Sequence, residues 1–206
     1  MNMSGVRNKI LTQLRKMNWL ERAGAVIVAA ALIFGFSQIA QGVYIKIKAE
    51  AAQVLLERAW GRAMAGERAP KPWPWADTWP VARIEALRLK KSAIVLMGAS
   101  GEAMAFGPGH ISYTPLPGRR GTAVIAAHRD THFAFLKDIR AGDELRVTNA
   151  DGSQYRFKVS RFEVVDAGAS GIEPSGPGYN LALVTCWPFN SNTRGSLRYI
   201  VHATRI

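Results

Sequence analysis

The single cysteine of the chain, Cys186, sits in "LALVTCWPF" (residues 181–189), where a strand-like run is cut off by Trp187 and Pro188. Proline has no N–H and cannot continue a ladder, so the thiol is expected at a strand end. Sulfur attacks as thiolate, and a free-cysteine pKa of about 8.5 leaves only a few per cent ionised at neutral pH. A nucleophilic role therefore needs a proton acceptor and positive potential nearby. His128 closes another apolar run, "GTAVIAAH", in the same strand-to-loop position, and Arg198 opens the last, "LRYIVHA". Attack on an amide creates an oxyanion, which Arg198 could stabilise, and then an amine leaving group, which His128 could protonate. Each residue has a plain structural alternative. Cys186 could be a small core residue, His128 a satisfied histidine, and Arg198 an outward residue of an alternating strand. His110, His132 and His202 compete for the role of base, and Arg194, in a Ser/Asn/Thr/Gly loop, for that of oxyanion donor.

The segments that would position these side chains begin after Pro80. "ARIEALRL", "SAIVLMG", "GTAVIAA", "DELRVT", "SQYRFKV", "RFEVV", "NLALVT" and "LRYIVHA" read as strands, punctuated by Gly, Pro and Asx residues. Short strands at such spacing argue for a mostly antiparallel barrel or sandwich. The "NADG" at residues 149–152 predicts a hairpin turn. In "YRFKVSRFEV" the apolar phase runs Tyr155, Phe157, Val159 and then slips to Phe162, Val164. A period of two slips only through a bulge or bend, which is predicted near Ser160 and Arg161. "DTHFAFLKDIRAG" lacks alternation and reads as a helical turn or loop.

Ahead of this domain, residues 23–36, "AGAVIVAAALIFGF", contain no polar side chain, and apolar character persists to Ile45. A helix needs about 20 apolar residues to cross a bilayer, which residues 23–45 supply. The segment is apolar all round, unlike an amphipathic core helix. A long basic region precedes it without a clear cleavage site after a short core, which favours an uncleaved anchor over a signal peptide. Five basic residues against Glu21 in residues 1–22 argue for a cytoplasmic N-terminus, although Lys46 and Lys48 weaken the bias. Residues 46–80 read as a helical stalk followed by a stiff linker, "PKPWPWADTWP", with four prolines and three tryptophans.

The composition fits this division. A chain of 206 residues with 48% hydrophobic and 20% charged residues is long enough for one well-buried domain and an appendage. One cysteine allows no intrachain disulfide. The net charge of +12 comes from 27 basic against 15 acidic residues, and many of the basic ones flank the apolar segment. Neither zinc-ligand spacing nor a recognisable RNA-binding signature accompanies it, so nucleic acid is not an expected partner. No carboxylate cluster suggests a calcium site, and no metal or cofactor is expected.

"FGPGHISYTPLPGRRGTAVIAAHRDTHFAFL", then "LALVTCWPF", then "LRYIVHA", in that order across residues 80–206, resemble the sortases, most of all the membrane-bound sortases of Gram-negative proteobacteria. The resemblance implies an all-β fold, a closed eight-stranded barrel with short helices, preceded by an N-terminal transmembrane helix. It places the family's catalytic His, Cys and Arg on His128, Cys186 and Arg198. It implies a cysteine transpeptidase that cleaves the C-terminal sorting signal of a substrate protein, holds it as a thioacyl enzyme and transfers it to an amine acceptor. The implied location is the inner membrane, single-pass, with the catalytic domain of residues 81–206 on the periplasmic side. Two positions depart from the family pattern: Ala127 where "GHR" has glycine, and Ala182 where "TLxTC" has its first threonine. Both are small-residue changes beside retained reactive groups. Two other functions stay open, an anchored cysteine peptidase that hydrolyses the intermediate and a non-catalytic anchored barrel that binds a partner. The histidine-before-cysteine order excludes a papain-like arrangement, and the surroundings of Cys186 differ from those of caspases.

Overall fold

The structure is a computed structural model that describes residues 18–191 and 195–206. Most of the basic N-terminal stretch, including Arg7, Lys9, Arg15 and Lys16, and also Arg194 lie outside these described residues. The chain divides into two compact units, Met1–Glu50 and Ala51–Ile206.

Helix α1, Trp19–Met64, begins in the first unit and ends in the second. Its start is a reciprocal cap: the Asn18 side chain accepts from the Glu21 N–H at 2.9 Å and the Glu21 carboxylate accepts from the Asn18 N–H at 2.9 Å. Between Val26 and Ile47 its large apolar side chains are exposed, and this stretch is long and apolar enough to cross a membrane. From Ala51 onward the helix changes character. Ala52, Leu56, Ala59 and Ala63 form a buried stripe at helical spacing, and Leu56 and Trp60 pack with Ile94, Leu96, Trp73 and Phe106. Of the linker tryptophans, Trp73 and Trp79 pack on the domain, whereas Trp75 is 81% exposed.

Eight strands close into a barrel in the order β1-β2-β3-β4-β7-β8-β6-β5. They are β1 (Pro80–Ala86), β2 (Lys91–Met97), β3 (Gly109–His110), β4 (Gly121–Ala126), β5 (Glu144–Asn149), β6 (Gln154–Asp166), β7 (Tyr179–Cys186) and β8 (Leu197–Arg205). A short helix α2, Gly101–Phe106, capped by the Ser100 side chain, crosses between β2 and β3. Six strand pairs are antiparallel; β2/β3 and β4/β7 are parallel. The strand count agrees with expectation, but two details differ. The runs around residues 153–159 and 161–165 are one strand, β6, whose register on β8 shifts between Val159 and Arg161, where the apolar phase slips. The eighth strand is instead β3, two residues long and too short for any periodicity to reveal.

The "NADG" turn forms as expected: the Gly152 N–H donates to the Asn149 carbonyl at 3.0 Å, with Gly152 at φ +82°. "DTHFAFLKDIRAG" contains one 3-10 turn, Ala134–Lys137. The core is filled by Ile84, Val95, Ile125, Phe133, Leu145, Val147, Phe157, Leu181, Leu183 and Val201. A second layer of Val124, Ala182 and Ile200 lies on the outer face of β4, β7 and β8, against Ile111, Ile172 and Val184. Residues on both faces of β4 and β7 are thus covered. That double burial is why "TAVIA" and "LALV" read as continuous apolar runs rather than alternating ones.

Candidate active site

Cys186 is the last residue of β7, and its partner in register is Arg198, the second residue of β8. The Trp187 N–H donates to the Leu197 carbonyl at 3.0 Å, which makes Cys186 and Arg198 a non-hydrogen-bonded pair. In such a pair the two side chains leave the same face with Cβ atoms about 5 Å apart. Pro188 then ends the ladder.

His128 approaches from the other side. In the parallel β4/β7 pair Ala126 is opposite Val184, and the Ala127 N–H still donates to the Val184 carbonyl at 3.1 Å. β4 ends at Ala126, so residue 128 lies two residues beyond this last pair, as residue 186 does on β7. The Thr185 hydroxyl fixes this end by donating to the Ala127 carbonyl at 2.8 Å. Cys186 and Arg198 thus face each other at the end of β7 and β8, and His128 follows the matching end of the neighbouring strand β4. His128 is exposed, and Cys186 and Arg198 are half-buried.

The chain turns sharply after His128, whose carbonyl accepts from the Thr131 and Phe133 N–H groups at 3.4 and 3.2 Å. Phe133, fully buried, pins that turn into the barrel. Arg129 is 9% exposed and donates to the Pro188 carbonyl at 2.8 Å and to the Ser191 carbonyl. It thereby ties the segment after Cys186 to the residue beside His128. Sequence reasoning passed over Arg129, although its place in "AHR" was the available signal.

Arg198 Nη1 donates to the Gly195 and Leu197 carbonyls, both at 2.9 Å. The Asp166 carboxyl lies below the usual carboxylate range, chiefly because the Ser196 hydroxyl donates to it, with the Gly168 N–H and the Arg198 charge adding to the effect. Arg198 also lines a cleft of about 180 Å³ with Ala126, Val184, Ile111, Thr114 and Ile172, on the outer face of β4, β7 and β8. Of the three candidate side chains, Arg198 is the one that lines it.

The other histidines have other duties. His110 is 2% exposed, and its Nε2 contacts the Pro115 carbonyl at 3.0 Å and the Thr114 hydroxyl at 3.2 Å. Burial pushes its pKa down, with the Pro115 contact acting in the opposite direction. His202 lies on β8 opposite Ala182, remote from the strand end, and bonds Glu163 at 3.0 Å. Burial, helped by the Arg161 charge, lowers its pKa to about 4, so that contact is a hydrogen bond from a neutral ring. His132 is lowered by burial, raised by its bond to the Ala105 carbonyl and lowered again by neighbouring His128. Among the described residues no group of three or more His, Cys, Asp or Glu side chains could hold a metal ion.

Comparison with known proteins agrees with this architecture. Residues 83–206 match the sortase domain. Over 124 residues the chain is 26% identical to sortase D of Bacillus subtilis (strain 168), a stretch that covers 60% of this chain and 62% of that protein. The chain thus spans under two thirds of the length of that curated relative. Among solved structures, a Clostridium perfringens sortase D5 transpeptidase superposes with a TM-score of 0.61 at 19% identity, covering 76% of this chain and 99% of that one. Sortase C2 of pilus island 1 from Group B Streptococcus gives 0.55 at 26% identity, covering 62% and 74%. With its matched domain spanning more than half the sequence and its eight strands closed in this order, the chain belongs to the sortase family.

Proposed function

We propose that the protein is a membrane-anchored cysteine transpeptidase in which Cys186 carries the acyl group, His128 moves the proton and Arg198 holds the oxyanion. The observation that supports this reading is the register pairing of Cys186 with Arg198 at the end of β7 and β8, with His128 just past the matching end of β4. Attack of the Cys186 thiolate on a substrate carbonyl would place the negative oxygen beside the guanidinium on the facing strand. Collapse expels the amine side of the peptide, which takes its proton from His128. An amine acceptor then attacks the thioester and regenerates the thiol. The donor would be a protein with a C-terminal sorting signal, its last residues lying in the apolar cleft beside Ala126 and Val184. Helix α1 would hold the domain at the inner membrane, on the periplasmic side.

The decisive experiment is mass spectrometry of the full chain after incubation with candidate donor proteins. The expected outcome is a hydroxylamine-sensitive adduct on Cys186 whose mass reports the donor sequence, absent from Cys186→Ala. Added amine should divert the thioacyl enzyme from hydrolysed to ligated product, which separates transpeptidase from peptidase. A Cys186 that resists alkylation in the folded protein and is dispensable would leave only an anchored binding barrel.

A further inference from the structure

The segment "HISYTPLPG", residues 110–118, leads from β3 toward β4. Three of its residues, Ile111, Tyr113 and Thr114, line the cleft beside Arg198, where they face Val124 and Ala126 of β4. Pro115 and Pro117 have no N–H, so the backbone there can be held by hydrogen bonds only through its carbonyls. Each of the two carbonyls meets a buried side-chain donor. The Asn149 amide, at the end of β5, donates to Pro117 at 2.9 Å, and His110 Nε2 meets Pro115 at 3.0 Å. A carbonyl can only accept, so the imidazole proton is on Nε2. Nδ1 is buried and has no partner among the described residues. The ring thus spends its one proton on this segment.

His110 grips the segment at a second point. Its Nε2 also lies 3.2 Å from the Thr114 hydroxyl oxygen. That hydroxyl donates to the Ile111 carbonyl at 2.7 Å and accepts from the Val124 N–H at 3.1 Å. The Thr114 N–H adds a bond to the same Ile111 carbonyl at 2.9 Å. One ring therefore joins Thr114 and Pro115, and through Thr114 both Ile111 and β4. Remove the donor and the Pro115 carbonyl must seek another partner, which moves the wall. Asn149 makes the same kind of bond further along the segment, beyond the residues that line the cleft.

We propose that His110 is a positioning residue for the acyl donor. Its Nε2–H holds the wall of Ile111, Tyr113 and Thr114 against β4, and so sets how tightly an extended peptide is held without taking part in the chemistry. The proposal rests on the reading of this cleft as the donor site and of Cys186 as the nucleophile.

The test uses the full chain in detergent micelles and two reagents that alkylate Cys186 with loss of halide. Acetyl-alanyl-valyl-alanyl chloromethyl ketone is long and apolar enough to lie along the cleft, whereas iodoacetamide is too small to use it. His110→Met keeps the length of the side chain and removes the donor; His110→Gln keeps a donor near the place of Nε2. With the peptide reagent, His110→Met should raise the half-saturating concentration about tenfold and leave the limiting rate within about twofold. His110→Gln should restore the parent's value, and iodoacetamide should react equally with all three. Amide hydrogen exchange at Thr114 and Val124 should quicken about tenfold in His110→Met alone. Asn149→Leu should lower the melting midpoint and keep the parent's half-saturation. Parental half-saturation in His110→Met, or an equal rise in Asn149→Leu, overturns the proposal. So does iodoacetamide reactivity that falls in step with the melting midpoint of His110→Met, the mark of a purely structural role. A parent that shows no saturation with the peptide reagent, while the exchange difference persists, overturns the donor-site reading instead and leaves His110 as the holder of this wall.

Discussion

At the scale of single residues, Arg198 carries the sharpest expectation. Its Cα is directly opposite that of Cys186, and its guanidinium donates to backbone carbonyls of its own segment, Gly195 and Leu197. A donor so placed can turn toward an oxyanion without breaking a buried ion pair. Arg198→Ala should lower turnover at least ~10²-fold, the scale on which single oxyanion donors act. Arg198→Lys should fall between, because an ammonium keeps the charge and loses the planar fork. Both variants should melt within a few degrees of the parent, since Arg198 is half-exposed. Rates measured on a shared donor peptide check this, with Arg194→Ala as comparison. A crippled Arg194→Ala beside a mild Arg198→Ala would exchange the two assignments. The position of Arg198 was legible because it opens an apolar run; its pairing with Cys186 was not, since register between strands distant in sequence leaves no local mark.

At the scale of elements, Arg129 joins the two segments that the proposed reaction would need in fixed relation. It follows His128 and reaches the carbonyls of Pro188 and Ser191, just beyond Cys186. A cation so well covered cannot be cut back cheaply, because two carbonyls lose a charged donor at once. Arg129→Met keeps the aliphatic volume and should cost about 1–3 kcal/mol. For a unit of this size that is a drop of several degrees in melting midpoint. Turnover should fall together with stability, whereas Arg198→Ala separates the two; parallel melting and rate measurements distinguish them. The elements also show where the sequence was informative. Ser160 marks the bulge in β6 because an alternating pattern cannot change phase silently. Gly109 and His110 of β3 gave no pattern, being two residues between a helix and a proline-rich loop. The parallel pairing of β4 with β7 was hidden for a different reason. Burial of both faces erased the alternation that would have separated a barrel wall from any other buried strand.

At the scale of the whole molecule, the +12 charge hides a more local electrostatic design. Most of the barrel's carboxylates stand beside arginines, as in Arg88 with Asp143, Arg156 with Glu144, and Arg161 with Glu163. The Arg88 hydrogen bond holds the Asp143 carboxyl below its ordinary range, so its stabilising share is present above about pH 3.8 and is lost as pH falls further. The histidines act at higher pH. In the unfolded chain His202 takes up its proton near 6.5, but in the barrel burial and Arg161 lower that to about 4. Between these values the unfolded state binds more protons, so stability falls as pH falls. With the His202 side chain 16% exposed, the loss amounts to up to ~3 kcal/mol, and His110 and His132 add in the same direction. The barrel should therefore begin to weaken near pH 6, well above the range in which its ion pairs are protonated. His202→Gln keeps a neutral donor toward Glu163 and has no proton to gain. In melting curves of the full chain from pH 7 to pH 4.5, the midpoint of His202→Gln should decline less steeply than that of the parent. Superimposable slopes would mean that His202 takes up its proton in the folded barrel as readily as in the unfolded chain, and that the neutral ring bonded to Glu163 is wrongly assigned.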